Sequence, residues 1–256
     1  MMISIKTSQE IEIMARAGKI LAKIMRELKD KVEPGMTTNE LDKLAQELIF
    51  IYGVKSAFKG YQGFPNVLCT SVNEQIVHAM PSDRELKQGD ILSLDMGIIY
   101  PAGRGKYGFY SDMAVTVPIG AIDPEVNRLI RVTKKALKRG IGRVKPGKTL
   151  GDIGHAIQRY IEDQDFHVIK ELCGHGIGKQ LQEEPEVLNF GQRHKGEVLK
   201  PGMVLALEPM AVMGNPGIKK CLEGGNICYQ TIDNSLSAHF EHTVAVTDKG
   251  PRILTE

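Results

Sequence analysis

Apolar residues recur along this chain with two alternating periods, and the order of alternation is written twice. Thr7-Ser8-Gln9-Glu10 has the form of a capping box, an acid three residues after a hydroxyl. Behind it Ile11, Met14, Ala17, Ile20, Leu21, Ile24 and Leu28 fall at helical spacing, which predicts an amphipathic helix over 8–30. Val32-Glu33-Pro34-Gly35-Met36-Thr37 breaks that pattern. Thr37-x-x-Glu40 then caps a second helix with Leu41, Leu44, Ala45, Leu48 and Ile49 on its buried face. From Gly53 to Met80 glycine and aromatic residues mix, a composition of loops and short strands. The run Leu86-Lys87-Gln88-Gly89-Asp90-Ile91-Leu92-Ser93-Leu94-Asp95 is of strand type and ends on a carboxylate. A Gly-rich segment, Tyr100 to Lys106, separates it from Asp112-Met113-Ala114-Val115-Thr116-Val117, an arrangement that predicts an extended hairpin.

The pattern then restarts. Asp123-Pro124 supplies an N-cap with proline at the first helical position, followed by Val126, Leu129, Ile130, Thr133 and Leu137 up to a stop near Gly140. Val144-Lys145-Pro146-Gly147-Lys148-Thr149 repeats V-x-P-G-x-T at an offset of 112 (144 − 32). Ile153, Ala156, Ile157, Tyr160 and Ile161 repeat the second helix's apolar face at the same offset. Leu199-Lys200-Pro201-Gly202-Met203-Val204-Leu205-Ala206-Leu207-Glu208 repeats the acid-ended strand at 113 (208 − 95), and Glu241-His242-Thr243-Val244-Ala245-Val246 follows. Two α+β halves, near 1–118 and 119–256, are expected to share one sheet about a pseudo-twofold axis.

Composition narrows the field. A chain of 256 residues with 42% hydrophobic and 25% charged content is an ordinary soluble globular protein. A net charge of +2 gives no reason to expect a polyanionic partner or specific nucleic acid. Cys69, Cys173, Cys221 and Cys228 show no C-x-x-C spacing and read as free thiols in a reducing compartment. No leader-like or membrane-length apolar segment appears, so a cytoplasmic protein without membrane attachment is expected.

Asp95, Asp112, Glu208 and Glu241 end or begin apolar strands, where a charge is costly unless paired. Brought together at the dyad, four carboxylates raise one another's pKa unless a cation joins them. Two divalent metals bridged by shared carboxylates resolve the repulsion and activate a bound water. Gly174-His175-Gly176-Ile177-Gly178 adds an imidazole, expected on a tight turn. Oxygen-rich ligation with one nitrogen suits Mn, Fe, Co or Zn.

Taken with Cys173-Gly174-His175-Gly176-Ile177-Gly178, Glu208-Pro209-Met210 and Ser235-Leu236-Ser237-Ala238-His239-Phe240-Glu241-His242-Thr243, these acids resemble the type I methionine aminopeptidases over essentially the whole chain. The resemblance implies the α+β pita-bread (creatinase/aminopeptidase) fold, internally duplicated, in one catalytic domain. It implies removal of the initiator methionine from nascent polypeptides, with transient ribosome contact; the two-half core suggests a monomer. It further implies that Asp112 and Glu241 bridge two metal ions, that Asp95 holds one ion, and that His175 and Glu208 hold the other. Glu208 is then the proton shuttle, and His78, in a His-x-x-Pro pattern with Pro81, is the substrate-side histidine. Phe58, Tyr61, Phe64, Cys69, Leu181 and Ile227 match the family's methionine pocket, an apolar slot suited to a thioether.

Two departures stand out. Asp95 and Asp112 lie 17 apart (112 − 95), longer than the family's usual hairpin, with Arg104 and Lys106 in the added loop. Gln182 stands seven residues after His175, where the family has a histidine that hydrogen-bonds the scissile carbonyl. A proline dipeptidase of the same fold, or a catalytically impaired peptide- or ribosome-binding homologue, are the alternatives. The survival of all five ligands favours the enzyme.

Overall fold

The computed structural model describes residues 3–101, 108–223 and 225–256. Helix α1 (Ser8–Lys31) begins at the capping box of Thr7 and Glu10, and α2 (Thr38–Ile51) at that of Thr37 and Glu40. In each box the threonine hydroxyl accepts the N3 amide while the glutamate accepts from the cap amide. Short strands β1 (Lys55–Ser56), β2 (Cys69–Val72) and β3 (Gln75–Val77) follow. The predicted hairpin is β4 (Ile91–Tyr100) and β5 (Phe109–Pro118), paired over ten residues from Ile91↔Pro118 to Tyr100↔Phe109. The added loop with Arg104 and Lys106 lies outside the described residues.

Helices α3 (Pro124–Ile141) and α4 (Leu150–Glu162) open the second half, capped by Asp123 and by a Thr149–Asp152 box. Then come β6 (His167–Val168), β7 (Cys173–Gly176), β8 (Glu183–Leu188), β9 (Val204–Leu207) and β10 (Met210–Val212). The chain closes with β11 (Ile218–Glu223), β12 (Asn226–Thr231), β13 (Ser237–His239), β14 (His242–Thr247) and β15 (Gly250–Ile253).

Each helix pair covers its own sheet. The apolar faces of α1 and α2 bury Leu21, Ile24, Leu41 and Leu48 against Leu92, Leu94 and Val117 of the hairpin. Leu129, Val132, Ile153 and Ile157 of α3 and α4 do the same against Leu205, Leu207 and Val244. The expectation of one shared sheet is corrected. β4 and β5 ladder with β1 and β2, whereas β7, β8, β9, β14 and β15 form a separate sheet in the order β15-β14-β9-β7-β8. Chain from Glu241 to Thr243 runs along β5 only briefly. There the Glu241 amide donates to Ala114 O at 2.9 Å, and Thr243 both accepts from the Asp112 amide (3.0 Å) and donates to its carbonyl (2.9 Å).

The thiol expectation is also corrected. Cys221 and Cys228 face each other directly across the β11–β12 hairpin, Cα atoms 4.9 Å apart, and form a disulfide. A spacing of seven carries no motif; only the hairpin register brings the two together. Cys69 and Cys173 are free. Among the described residues no helix is long and apolar enough to cross a membrane.

Candidate metal centre

Asp95 and Asp112 do not end their strands, as the sequence pattern implied. The β4–β5 ladder runs five residues past Asp95, so both sit within it. Asp95 lies opposite Ala114 and Asp112 opposite Gly97, which puts the two carboxylates diagonally on one face. Glu208 follows β9 directly, and Glu241 fills the break between β13 and β14. The side chain of Asn189 donates to the Glu208 carbonyl at 3.0 Å and pins the backbone there.

His175 lies in strand β7 rather than on a turn. Its flanking glycines answer to packing, because a Cβ on Gly174 would stand 2.2 Å from the Ala206 carbonyl oxygen and one on Gly176 2.2 Å from that of Glu184. The imidazole Nδ1 lies 2.9 Å from the Gly176 carbonyl, an acceptor only. Nδ1 therefore carries the proton and Nε2 presents its lone pair inward, the tautomer a metal requires.

Asp112, His175 and Glu241 each offer a ligand atom within 4.8 Å of one another. Oε1 of Glu208 stands 3.7 Å from Nε2 of His175. Burial lifts the pKa of Asp95 well above the carboxylate range, assisted by Asp112 and Glu208. Glu241 is raised by burial and by the same neighbours. Asp112 and Glu208 are each pushed up to about 7, burial first; for Asp112 the charge of Glu208 adds to it, while His175 opposes the rise at Glu208. Buried Asp95 Oδ1 and Glu241 Oε1 have no hydrogen-bond partner. Buried, mutually repelling carboxylates with open lone pairs beside a correctly tautomerised imidazole fit a divalent cation.

The predicted pocket residues largely converge. Phe58, Cys69 and Leu181 are buried in one apolar cluster with Tyr61 and Phe64 packed on it. Gly97 makes room for them, since a Cβ there would meet the Phe58 ring at 2.8 Å. Cys69 pairs with Asp95 in register, and burial together with Asp95 and Asp112 raises its thiol pKa. Ile227 is the exception: it sits near the tip of the exposed β11–β12 hairpin opposite Leu222, 46% exposed and outside that cluster.

Gln182 lines a cavity of about 400 Å³ with His175, Cys173 and Glu186, and accepts a hydrogen bond from the Tyr61 hydroxyl at 3.3 Å. His78 follows β3 in the left-handed region (φ 62°) with its ring edge-on to Tyr229, centroids 6.0 Å apart. The residue as a whole keeps solvent contact, yet burial of its ring side, with His239 and His175 adding to it, lowers the pKa to about 4.

One residue received no role from the sequence. His239, at the end of β13, is 1% exposed, and neither ring nitrogen has a hydrogen-bond partner. Its Nε2 is 3.6 Å from Glu208 Oε2, so Glu208 stands between two imidazoles, one toward each oxygen. Burial pulls the His239 pKa down to about 4 against the opposing pull of Asp112. The available signal was a histidine two positions before a candidate ligand, a spacing that strand alternation puts on one face.

Comparison with known proteins agrees with this geometry. Residues 12–248 match the model of metallopeptidase family M24. A methionine aminopeptidase of Clostridium perfringens is 45% identical over 254 residues, 99% of each chain. The crystal structure of methionine aminopeptidase from Rickettsia prowazekii superposes with a TM-score of 0.95 at 38% identity, and that from Thermotoga maritima with 0.93 at 41%, each covering 100% of both chains. The chain belongs to metallopeptidase family M24, on its methionine aminopeptidase branch, with that family's pita-bread fold.

Proposed function

We propose that this metallo-exopeptidase removes the N-terminal methionine from newly made polypeptides, as a cytoplasmic monomer. The observation that carries the reading is the convergence of Asp112, His175 and Glu241 within 4.8 Å, together with an apolar cluster of Phe58, Tyr61, Phe64, Cys69 and Leu181. Asp112 and Glu241, one from each half, would be shared by two divalent ions drawn from Co, Mn, Fe and Zn. Asp95 would complete one coordination sphere, and His175 with Glu208 the other. When bound, such ions lower the pKa of water and polarise the scissile carbonyl.

The chain's own groups do the rest. Glu208, between the two imidazoles, would take a proton from the attacking water and return it to the departing amine. Phe58, Tyr61, Phe64, Cys69 and Leu181 desolvate the methionine side chain, leaving its thioether against aromatic and sulfur surfaces. His78 and Gln182 supply donors to the peptide group at the mouth of the cleft. Gln182 donates through a neutral amide, so it steadies a developing oxyanion less than a charged imidazole does.

The test is release of methionine from Met-Gly-Met by metal-stripped protein reloaded separately with Mn, Fe, Co or Zn, beside Glu208→Ala. Turnover restored by metal and lost in the variant supports the proposal. Hydrolysis of Gly-Pro in place of Met-Gly-Met would transfer it to a proline dipeptidase, and stoichiometric metal binding without turnover to a binding role.

A further inference from the structure

Among the described residues Lys6 is the only lysine or arginine that is buried. A buried ammonium is costly unless a carboxylate meets it with good geometry. Here Nζ donates to Glu183 Oε2 at 2.6 Å and to the Ser4 carbonyl at 3.3 Å, and the Lys6 side chain is 2% exposed. The backbone of the segment ahead of α1 is seated as well. The Lys6 amide donates to the Gly202 carbonyl at 2.8 Å, in the turn that leads into β9. Gly202 permits that approach with φ 93°, since a Cβ there would stand 2.8 Å from the Lys6 carbonyl oxygen.

Glu183 opens β8, and its second oxygen turns back along the chain. Oε1 accepts the amides of Lys179 (2.6 Å) and Gln180 (3.1 Å), which closes the loop 177–182 between β7 and β8. Gly178 lets the lysine stem lie across this turn, because a Cβ there would stand 2.2 Å from Lys6 Cε. A second ion pair joins Lys179 to Glu10, the acid of the α1 capping box, at 3.1 Å. The Lys179 side chain is largely exposed, so that pair contributes little. The buried contact carries the restraint.

The loop so closed presents Leu181 and Gln182. Leu181 is fixed by its own burial in the apolar cluster with Phe58 and Cys69. Gln182 is exposed, and it lines the cavity with His175 and with Ser4 from the segment that carries Lys6. Its Oε1 meets the Tyr61 hydroxyl at 3.3 Å, too long to hold the side chain by itself, and this leaves the amide nitrogen as the donor. Gln182 therefore takes its place from the loop backbone.

We propose that Lys6 is a positioning residue for the aminopeptidase reaction. It fixes Glu183, Glu183 fixes the turn at 179–180, and that turn sets the Gln182 amide against the substrate carbonyl. The assignment rests on the peptidase reading above and adds a residue outside both the metal centre and the apolar pocket.

Lys6→Met keeps a straight stem and removes the charge. With metal restored, its kcat on Met-Gly-Met should fall about tenfold while KM changes by less than about twofold, the pattern of a contact made in the transition state. In a Gln182→Ala background the same substitution should cost less than about twofold, because the residue it acts through is gone. Hydrogen exchange read by mass spectrometry should be about tenfold faster across 178–183, with the β4–β5 ladder unchanged. Glu183→Gln keeps an acceptor for the loop amides but ends the ion pair, and it should give the same kinetic pattern even where Lys6→Met fails to fold. An equal kcat loss with and without Gln182, a rise in KM alone, or unchanged exchange in the loop overturns the proposal. Faster loop exchange in the variant, with no methionine release from the unsubstituted protein, would leave the tether assigned and remove only the peptidase reading.

Discussion

Helices α2 and α4 begin alike and seat themselves by opposite means. Each starts at a threonine capping box and buries an apolar face at matching positions 112 residues apart. Yet the position that is Asp42 in α2 is Gly154 in α4 (42 + 112). The buried Asp42 carboxylate accepts the amides of Val67 (2.9 Å) and Leu68 (3.1 Å) and the Asn66 side chain (2.9 Å). That ties down the segment entering β2, whose Cys69 pairs with Asp95. Gly154 instead offers bare backbone, with the Phe190 and Leu188 carbonyl oxygens 2.2 and 2.7 Å from where a Cβ would stand. The segment so held carries Asn189, whose amide anchors Glu208. A carboxylate anchor in one half and a missing side chain in the other thus serve the same end, the placement of a candidate metal-binding acid. Equivalent patterning makes equivalent helices; a single residue decides how each is docked.

The comparison breaks most sharply at the acids themselves. Asp95→Asn in the first half and Glu208→Gln in the second should each lower methionine release by about a thousandfold. Calorimetry should also show weaker metal binding in both. If only one half's variant does so, the two halves do not share the site.

Without metal, the raised carboxylates set the pH response. Asp112 and Glu208, held up to about 7 by burial, keep protons in the folded state that the unfolded chain releases near pH 4. The folded state therefore binds more protons between about pH 4 and 7, and stability of the metal-free protein falls as pH rises through that window. Thermal melts should show that fall, and saturating metal should remove it. A flat or rising profile without metal would show the carboxylates to be solvated.

The two docking devices can be tested directly. Asp42→Ala leaves two buried amides unpartnered and should destabilise by about 3 kcal/mol. Gly154→Ala drives a methyl into carbonyl oxygens and should cost about 2 kcal/mol, since only backbone can yield. Urea melts of the two variants measure the difference, and equal, negligible losses would refute it.

The smallest effect concerns chemistry within the second half. Gln182→His puts an ionisable donor beside the His175 cavity and should raise kcat by about tenfold on Met-Gly-Met. Equal or lower turnover would show that Gln182, supported by the Tyr61 hydroxyl, already suffices.

Much of this molecule was legible in order along the chain, because capping boxes and apolar spacing act over four residues or fewer. All four helices, the long hairpin and the repeated strand came from such local rules. The five candidate ligand residues came from their flanking motifs. His239 did not, because a histidine's neighbours in sequence do not report whether its ring nitrogens find partners. Asp42 was passed over within α2 for the same reason, the backbone amides it holds lying more than twenty residues away. The Cys221–Cys228 bond depended on a hairpin register, and the position of Asp95 within its strand on how far β5 continues to pair.

The sequence by itself determined the helices, their caps, the order of elements and the identity of the acids, all consequences of short-range stereochemistry and residue type. Only the tertiary structure decided that β5 and the start of β14 meet and that Glu208 stands between two imidazoles. Those depend on distances between residues far apart in the chain, and such distances exist only once both sheets and their helices have packed.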